Sequence, residues 1–297
     1  LNLTGSAVVF ITAAAEDVFQ GELFAENPSS PTAPSATGTN AVAIGENARA
    51  TGDRGVAFGS ESLASGINSI ALGRAATSSG LLSNAMGFGA TAGAQSSFAM
   101  GYSAVTATGL YSTSIGRSYA SGTDSFAAAI ASNSSSYGAT GANSVAMGPF
   151  AKATNSQATA IGGEYVTASG FGSLAFGSGS RATGTGSTAL GYDAEATANY
   201  ALALGGGSRA RATYTSAIGD GAVADGANST VIGKSSSTAS THTDSFAIGN
   251  AVQTSAANQI SIGSTLDTVR ISETYTLPTS DGTNGQVLTT DGSGAVT

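Results

Sequence analysis

The sequence predicts an all-β fold, a parallel solenoid of short coils, on three observations. A closing glycine recurs about every fourteen residues. Each interval holds two stretches of four or five residues with a period of two, each ended by glycine, which reads as strand–turn–strand–turn. The composition is poor in charge and rich in small residues: 42 of 297 residues are Gly and 9 % are charged, against roughly 25 % charged in an ordinary soluble domain. A helix would need apolar residues every three or four positions and would be weakened by this much glycine.

Residues 1–40 differ from the rest. Ala7-Val8-Val9-Phe10-Ile11 reads as a strand, and Ala13 to Ala25 carries Val18, Phe19, Leu23 and Phe24 at helical spacing, broken by Gly21. Pro28, Pro31 and Pro34 make a proline-rich lead-in. The segment is expected to cap the open edge of the first coil, as solenoids require, or to dock the chain.

Residues 41–263 hold the repeats. The word small–x–Ala–apolar–Gly opens as Ala41-Val42-Ala43-Ile44-Gly45 and returns as Gly55-Val56-Ala57-Phe58-Gly59 and Ser69-Ile70-Ala71-Leu72-Gly73. Its anchors are Gly45, Gly59, Gly73, Gly87, Gly101, Gly116, Gly148, Gly162, Gly177, Gly191, Gly205, Gly219, Gly233, Gly249 and Gly263. Two steps are 15, one is 16, and the gap of 32 between Gly116 and Gly148 conceals a degenerate copy at Ser125-Phe126-Ala127-Ala128-Ala129, giving sixteen copies. Stacked at about 4.8 Å per coil, they would rise roughly 75 Å.

Alternation assigns the faces. Ile44, Phe58, Leu72, Met100, Ile161, Phe176, Leu190, Ile218, Ile232 and Ile248 precede their glycines and are expected to form the core. A second word, as in Ala48-Arg49-Ala50-Thr51-Gly52, has small flanking positions. Its middle residue varies among Arg49, Leu63, Thr77, Val105, Tyr119, Lys152, Arg181, Glu195 and Arg209, so it should face solvent. So thin a coil cannot cover both faces of its own strand. The economical partner is another copy of the chain, and a cyclic homotrimer is the expectation. Residues 264–297 are expected to form a β-rich neck.

Composition excludes several chemistries. With no Cys and one His, a thiolate nucleophile, a disulfide framework or a multi-His zinc shell has no residues to build it. A net charge of −8 argues against nucleic acid. The sequence contains no run of eighteen apolar residues, so no helical membrane insertion is expected. Leu1 opens the chain without a charged n-region, so no signal peptide is read.

The Ser-x-Ala-Ile-Gly and Ala-x-Ala-x-Gly words in a fourteen-residue frame resemble the YadA-like head of trimeric autotransporter adhesins. That resemblance covers about 220 residues. It implies a left-handed parallel β-roll, three chains side by side, and an adhesive rod held away from a surface. The flanks Asn27–Gly38 and Tyr275–Gly292 are similar to segments of marine bacteriophage fibres. The expected role is therefore a virion-surface fibre that spaces and contributes to host attachment. Its expected partners are its own twins, other virion fibre or tail/capsid proteins, and a host cell-surface glycan or protein. The alternative is an adhesin head on a bacterial cell surface.

No catalytic residue, metal site or cofactor is expected. Asp193/Glu195 and Asp220/Asp225 read as solvent-facing turn or strand carboxylates. His242, within Ser240-Thr241-His242-Thr243-Asp244, lacks a nucleophile elbow. Gly205-Gly206-Gly207 is followed by no Lys-Ser/Thr and is no phosphate loop. Ser144-Val145-Ala146-Met147-Gly148 is nearest to the words tied to collagen binding in the resembled family, but it doubles as frame, so no binding is assigned to it. Asn133-Ser134-Ser135-Ser136-Tyr137 is an added loop. Tyr102, Tyr111, Tyr119, Tyr192 and Tyr214 are outer aromatics that could stack on sugars or pack at an interface.

Overall fold

A computed structural model describes residues 32–102, 106–129, 137–264, 270–271 and 275–276. The expected strand and helix before residue 31, Val105, the loop residues Asn133 to Ser136 and residues 277–297 lie outside that set. The chain divides into two compact units, Leu1–Gly172 and Ser173–Thr297. Both are stacks of β-coils, and no helix occurs among the described residues.

Each coil carries one longer and one shorter strand, such as Val42–Ile44 and Arg49–Ala50. In the first unit the longer strands run from Val42–Ile44 to Thr159–Ile161, in the second from Leu174–Phe176 to Ile260–Ile262. Pairing is parallel and in register: Val42 faces Val56, Ala43 faces Ala57 and Ile44 faces Phe58. The degenerate copy keeps its place, with Phe126 opposite Thr113 on one side and Val145 on the other. The ladder of shorter strands already begins at Ser35–Ala36, which pairs with Arg49–Ala50 inside the segment read as lead-in. Beyond the repeats, Arg270–Ile271 and Tyr275–Thr276 form an antiparallel pair.

Two four-residue turns close each coil. In one, the Ala48 N–H donates to the Gly45 carbonyl at 3.1 Å; in the other, the Gly55 N–H donates to Gly52 at 2.9 Å. The third residue of each turn is left-handed, as at Asn47 (φ 53°) and Arg54 (φ 54°). These residues also donate to the preceding coil, Arg54 to the Thr39 carbonyl at 2.8 Å, so backbone pairing continues around the corners.

The anchor glycines all have positive φ, from 76° at Gly116 to 149° at Gly101. At Gly59 (φ 122°) an added Cβ would lie 2.7 Å from the Gly73 carbonyl carbon, which explains why the word closes on glycine.

The interior of the coil departs from expectation. It is filled by Ala and Ser: Ala43, Ala57, Ser62, Ala64, Ser69 and Ala71 are wholly buried. The ten large residues expected as core do not line it. Phe58, Leu72, Met100, Phe176, Leu190 and Ile232 are exposed, and Ile44, Ile161, Ile218 and Ile248 are only partly buried. Alternation is the reason: Ala43 points into the coil, so Val42 and Ile44 on either side must point out. Two facing strands separated by four-residue turns leave width for methyls and hydroxyls. Val166, Val231 and Val252 are the largest fully buried side chains among the described residues.

Candidate functional surfaces

Three outer surfaces follow from this geometry: the face of the longer strands, the face of the shorter strands, and the turns. Each presents chemistry of a different kind.

The longer strands present two columns of apolar side chains. In the first unit Val42, Val56 and Ile70 stand beside Ile44, Phe58 and Leu72; in the second Leu174 stands beside Phe176. Phe58 is 49 % and Phe176 48 % exposed. Fully burying such a side chain gains roughly 1.5–3 kcal/mol, so a stripe left in water on every coil is a surface shaped for cover. Asn84, Thr113, Thr159, Thr188, Ser216 and Thr230 interrupt one column with polar groups.

The shorter strands present the variable position outward. Arg49, Arg181 and Arg209 are exposed, while Leu63, Thr77, Tyr119, Lys152 and Glu195 are half-buried. Opposite charges fall in register across coils. Arg181 Nη1 lies 3.0 Å from Glu195 Oε1, and Arg209 Nε lies 3.7 Å from Glu195 Oε2. Arg211 grips Asp225 with two bonds, Nε to Oδ1 at 2.8 Å and Nη2 to Oδ2 at 2.7 Å. That bond holds the Arg211 guanidinium above its ordinary pKa; partial burial opposes the shift, and the charges of Asp225 and Glu195 add to it.

The turns present rings. Phe88 stacks on Tyr102 (centroids 5.2 Å, planes 20° apart), Phe150 on Tyr165 (5.2 Å, 8°) and Tyr200 on Tyr214 (5.1 Å, 3°). Tyr137, at the end of the added loop, meets Phe150 edge-on at 5.3 Å. The Arg74 guanidinium sits 5.5 Å over Phe88. Of the outer tyrosines expected to meet sugars, Tyr102 and Tyr214 each have a stacked neighbour, Tyr119 is half-buried on a short strand, and Tyr111 and Tyr192 are exposed at turns. Sequence reading missed the stacking, although the signal was present: aromatics at 88 and 102, and at 200 and 214, are spaced by the repeat length.

The acid and histidine candidates are scattered. Glu195 and Asp225 are held by arginines; Asp193 occupies a left-handed turn position (φ 50°). Asp220 is exposed at the start of a turn. His242 Nδ1 is 2.9 Å from Thr254 Oγ1, and the neighbouring Asp244 accepts from Asn228 Nδ2 at 3.0 Å, so Ser240, His242 and Asp244 form no relay. Gly205-Gly206-Gly207 is an ordinary coil turn, with Gly207 donating to the Tyr192 carbonyl. In Ser144–Gly148 the serine is buried and donates to the Gly141 carbonyl at 2.6 Å, a frame role. Among the described residues no group of three His, Cys, Asp or Glu side chains could hold a metal ion.

A family model described as the YadA head domain repeat (2 copies) matches residues 36–62, 64–81, 139–164, 168–194, 182–208 and 210–236. Among solved structures, the chain is similar to the collagen-binding domain of the Yersinia adhesin YadA, at 22 % identity over 73 % of this chain and 82 % of that one, with a TM-score of 0.28. No curated protein matches. The stretches matched by the family model fall on coils of both units, and their strands, turns and anchor glycines are similar to YadA head domain repeats.

Proposed function

We propose that this chain is a homotrimeric structural fibre segment of a bacteriophage virion, a spacer that contributes to attachment at a host surface. One observation carries the assembly: the longer strands of each unit carry an outward column of apolar side chains that no other described residue covers. A second copy offers the same stripe at the same rise, so chains side by side match coil for coil. Three chains around an axis would each turn the stripe inward and leave the polar short strands and the turns outward. The number three follows the family that the repeats resemble. The phage setting follows the likeness of the flanks to phage fibre segments; an adhesin head on a bacterial surface uses the same assembly. The partners of the assembled fibre are other virion proteins and a host-surface molecule.

We further propose that the chain is not an enzyme. Glu195 and Asp225, the carboxylates best placed on the short-strand face, are neutralised by Arg181, Arg209 and Arg211.

Mass photometry on the purified chain tests the assembly. A particle of about 86 kDa, three times 28.6 kDa, is expected; a stable 28.6 kDa particle would end the trimer reading. Release of reducing ends from host polysaccharide would overturn the non-enzymatic one.

A further inference from the structure

We propose that the corner of the second unit formed by Tyr200, Arg209, Arg211, Tyr214 and Asp225 is a docking site for a carboxylate-bearing glycan. The proposal deepens the attachment reading above and rests on it, because it names the partner class of the outward surface.

The first support is conformational. Tyr200 (φ 56°) and Tyr214 (φ 57°) occupy the left-handed position of their turns. At the same place in other coils stand Asn68, Asn143, Gly172, Gly186 and Asn228, residues that tolerate it, and also Arg54, Leu82, Tyr111 and Gln157. A bulky side chain is strained there. Stacking the two rings offsets part of that strain. The pair therefore adds little to stability, and its net product is a surface.

The second is the shape of that surface. The two tyrosine planes are 3° apart. Tyr200 is closed on its other side by Gly186, where even a Cβ would come within 3.0 Å of the ring. Tyr214 ends the stack and is 61 % exposed. A flat ring with its phenol at the edge suits the C–H face of a pyranose.

The third is charge. Arg209 and Arg211 lie two apart on one extended stretch that leads into the Tyr214 turn. Arg211 is committed to Asp225 by two bonds. Arg209 is held more loosely: it pairs with Glu195 at 3.7 Å, Glu195 gives its other oxygen to Arg181, and Arg209 makes no side-chain hydrogen bond among the described residues. Its side chain is half exposed, and its planar donors match a carboxylate. Arg181 and Arg209 share Glu195, and Arg211 takes Asp225. The chain as a whole is at −8, but charges beyond about 8 Å are largely screened at physiological salt.

The test uses the full chain and defined oligogalacturonate as the acidic probe, with its methyl ester and dextran as uncharged comparators. Tyrosine emission reports contact, since the chain has nine Tyr and no Trp, and calorimetry gives the affinity. Saturable binding to oligogalacturonate is expected, weakened at least tenfold by Arg209→Gln and by Tyr214→Asn. Asn suits a left-handed turn, so Tyr214→Asn should keep its melting temperature and its loss of binding would not reflect unfolding. Arg49→Gln, exposed on the same column of the first unit, should bind as the parent does. Absence of saturable binding, equal binding to the methyl ester or to dextran, or equal loss in Arg49→Gln would each overturn the proposal. Mass photometry on the same sample keeps the two readings apart: a trimer that does not bind refutes the site alone, and a monomer refutes the assembly.

Discussion

At the scale of single residues, the coil interior explains both the composition and its sensitivity to change. Ala57 is wholly buried between Ala43 and Ala71. Ala57→Leu must push two strands apart, and a loss of about 3 kcal/mol is expected in urea unfolding. Gly59→Ala should cost as much, because its Cβ would meet the Gly73 carbonyl and its φ of 122° strains any L side chain. The buried serines divide into two kinds. Ser83 Oγ lies 2.6 Å from Ser78 Oγ and donates to the Gly80 carbonyl at 2.7 Å, whereas Ser69 Oγ is buried without a partner. Ser83→Ala should therefore lower the unfolding free energy by about 1–2 kcal/mol, and Ser69→Ala should leave it unchanged or raise it by up to about 1 kcal/mol. Equal losses at the two sites would contradict the hydrogen bonding described.

At the scale of the coil, strand, turn and register were legible in the sequence because each has a local cause. Period-two alternation marks the strands, and a glycine at a fixed step marks a corner where the backbones of successive coils touch, as at Gly59 and Gly73. What was not legible is which face is the interior. Alternation separates Ala57 from Phe58 but does not say which one faces the facing strand; only the coil's width decides, and that depends on turn geometry in three dimensions. The charged and aromatic ladders escaped because their partners are fourteen residues apart, so that Asp225 read only as a solvent-facing carboxylate beside Asp220. The coil also sets the worth of that pair. Both partners are partly solvated, so Arg211→Ala should cost only about 0.5 kcal/mol. The guanidinium pKa is raised on folding, so the contribution is complete below its unfolded value and fades only as pH climbs past the still higher folded one. Melts of parent and variant should therefore differ by the same amount throughout the neutral range, and the difference should shrink in molar salt.

At the scale of the molecule, an uncovered stripe is the property that the chain cannot resolve alone. The coils of a solenoid unit contact only their neighbours in the stack, so among the described residues no distant part of a unit folds over Phe58 or Leu72. Each half-exposed side chain leaves about 1 kcal/mol of burial unrealised, and many such increments on successive coils exceed the several kcal/mol that association costs. The same logic says how to break the assembly without breaking the coil. Phe58→Glu and Leu72→Glu change residues that point outward from adjacent, directly paired strands, so the Ala and Ser interior and the backbone ladder stay intact. In a closed cyclic assembly each substitution is repeated in every chain, and carboxylates from neighbouring chains would meet in a site without water or counter-charge. The double variant should keep the β-type circular dichroism of the parent while its particle falls from about 86 kDa to 28.6 kDa. Arg49→Glu, on the opposite outer face, should stay at the parent's size. A double variant that remains fully assembled would place the contact between chains on some other surface.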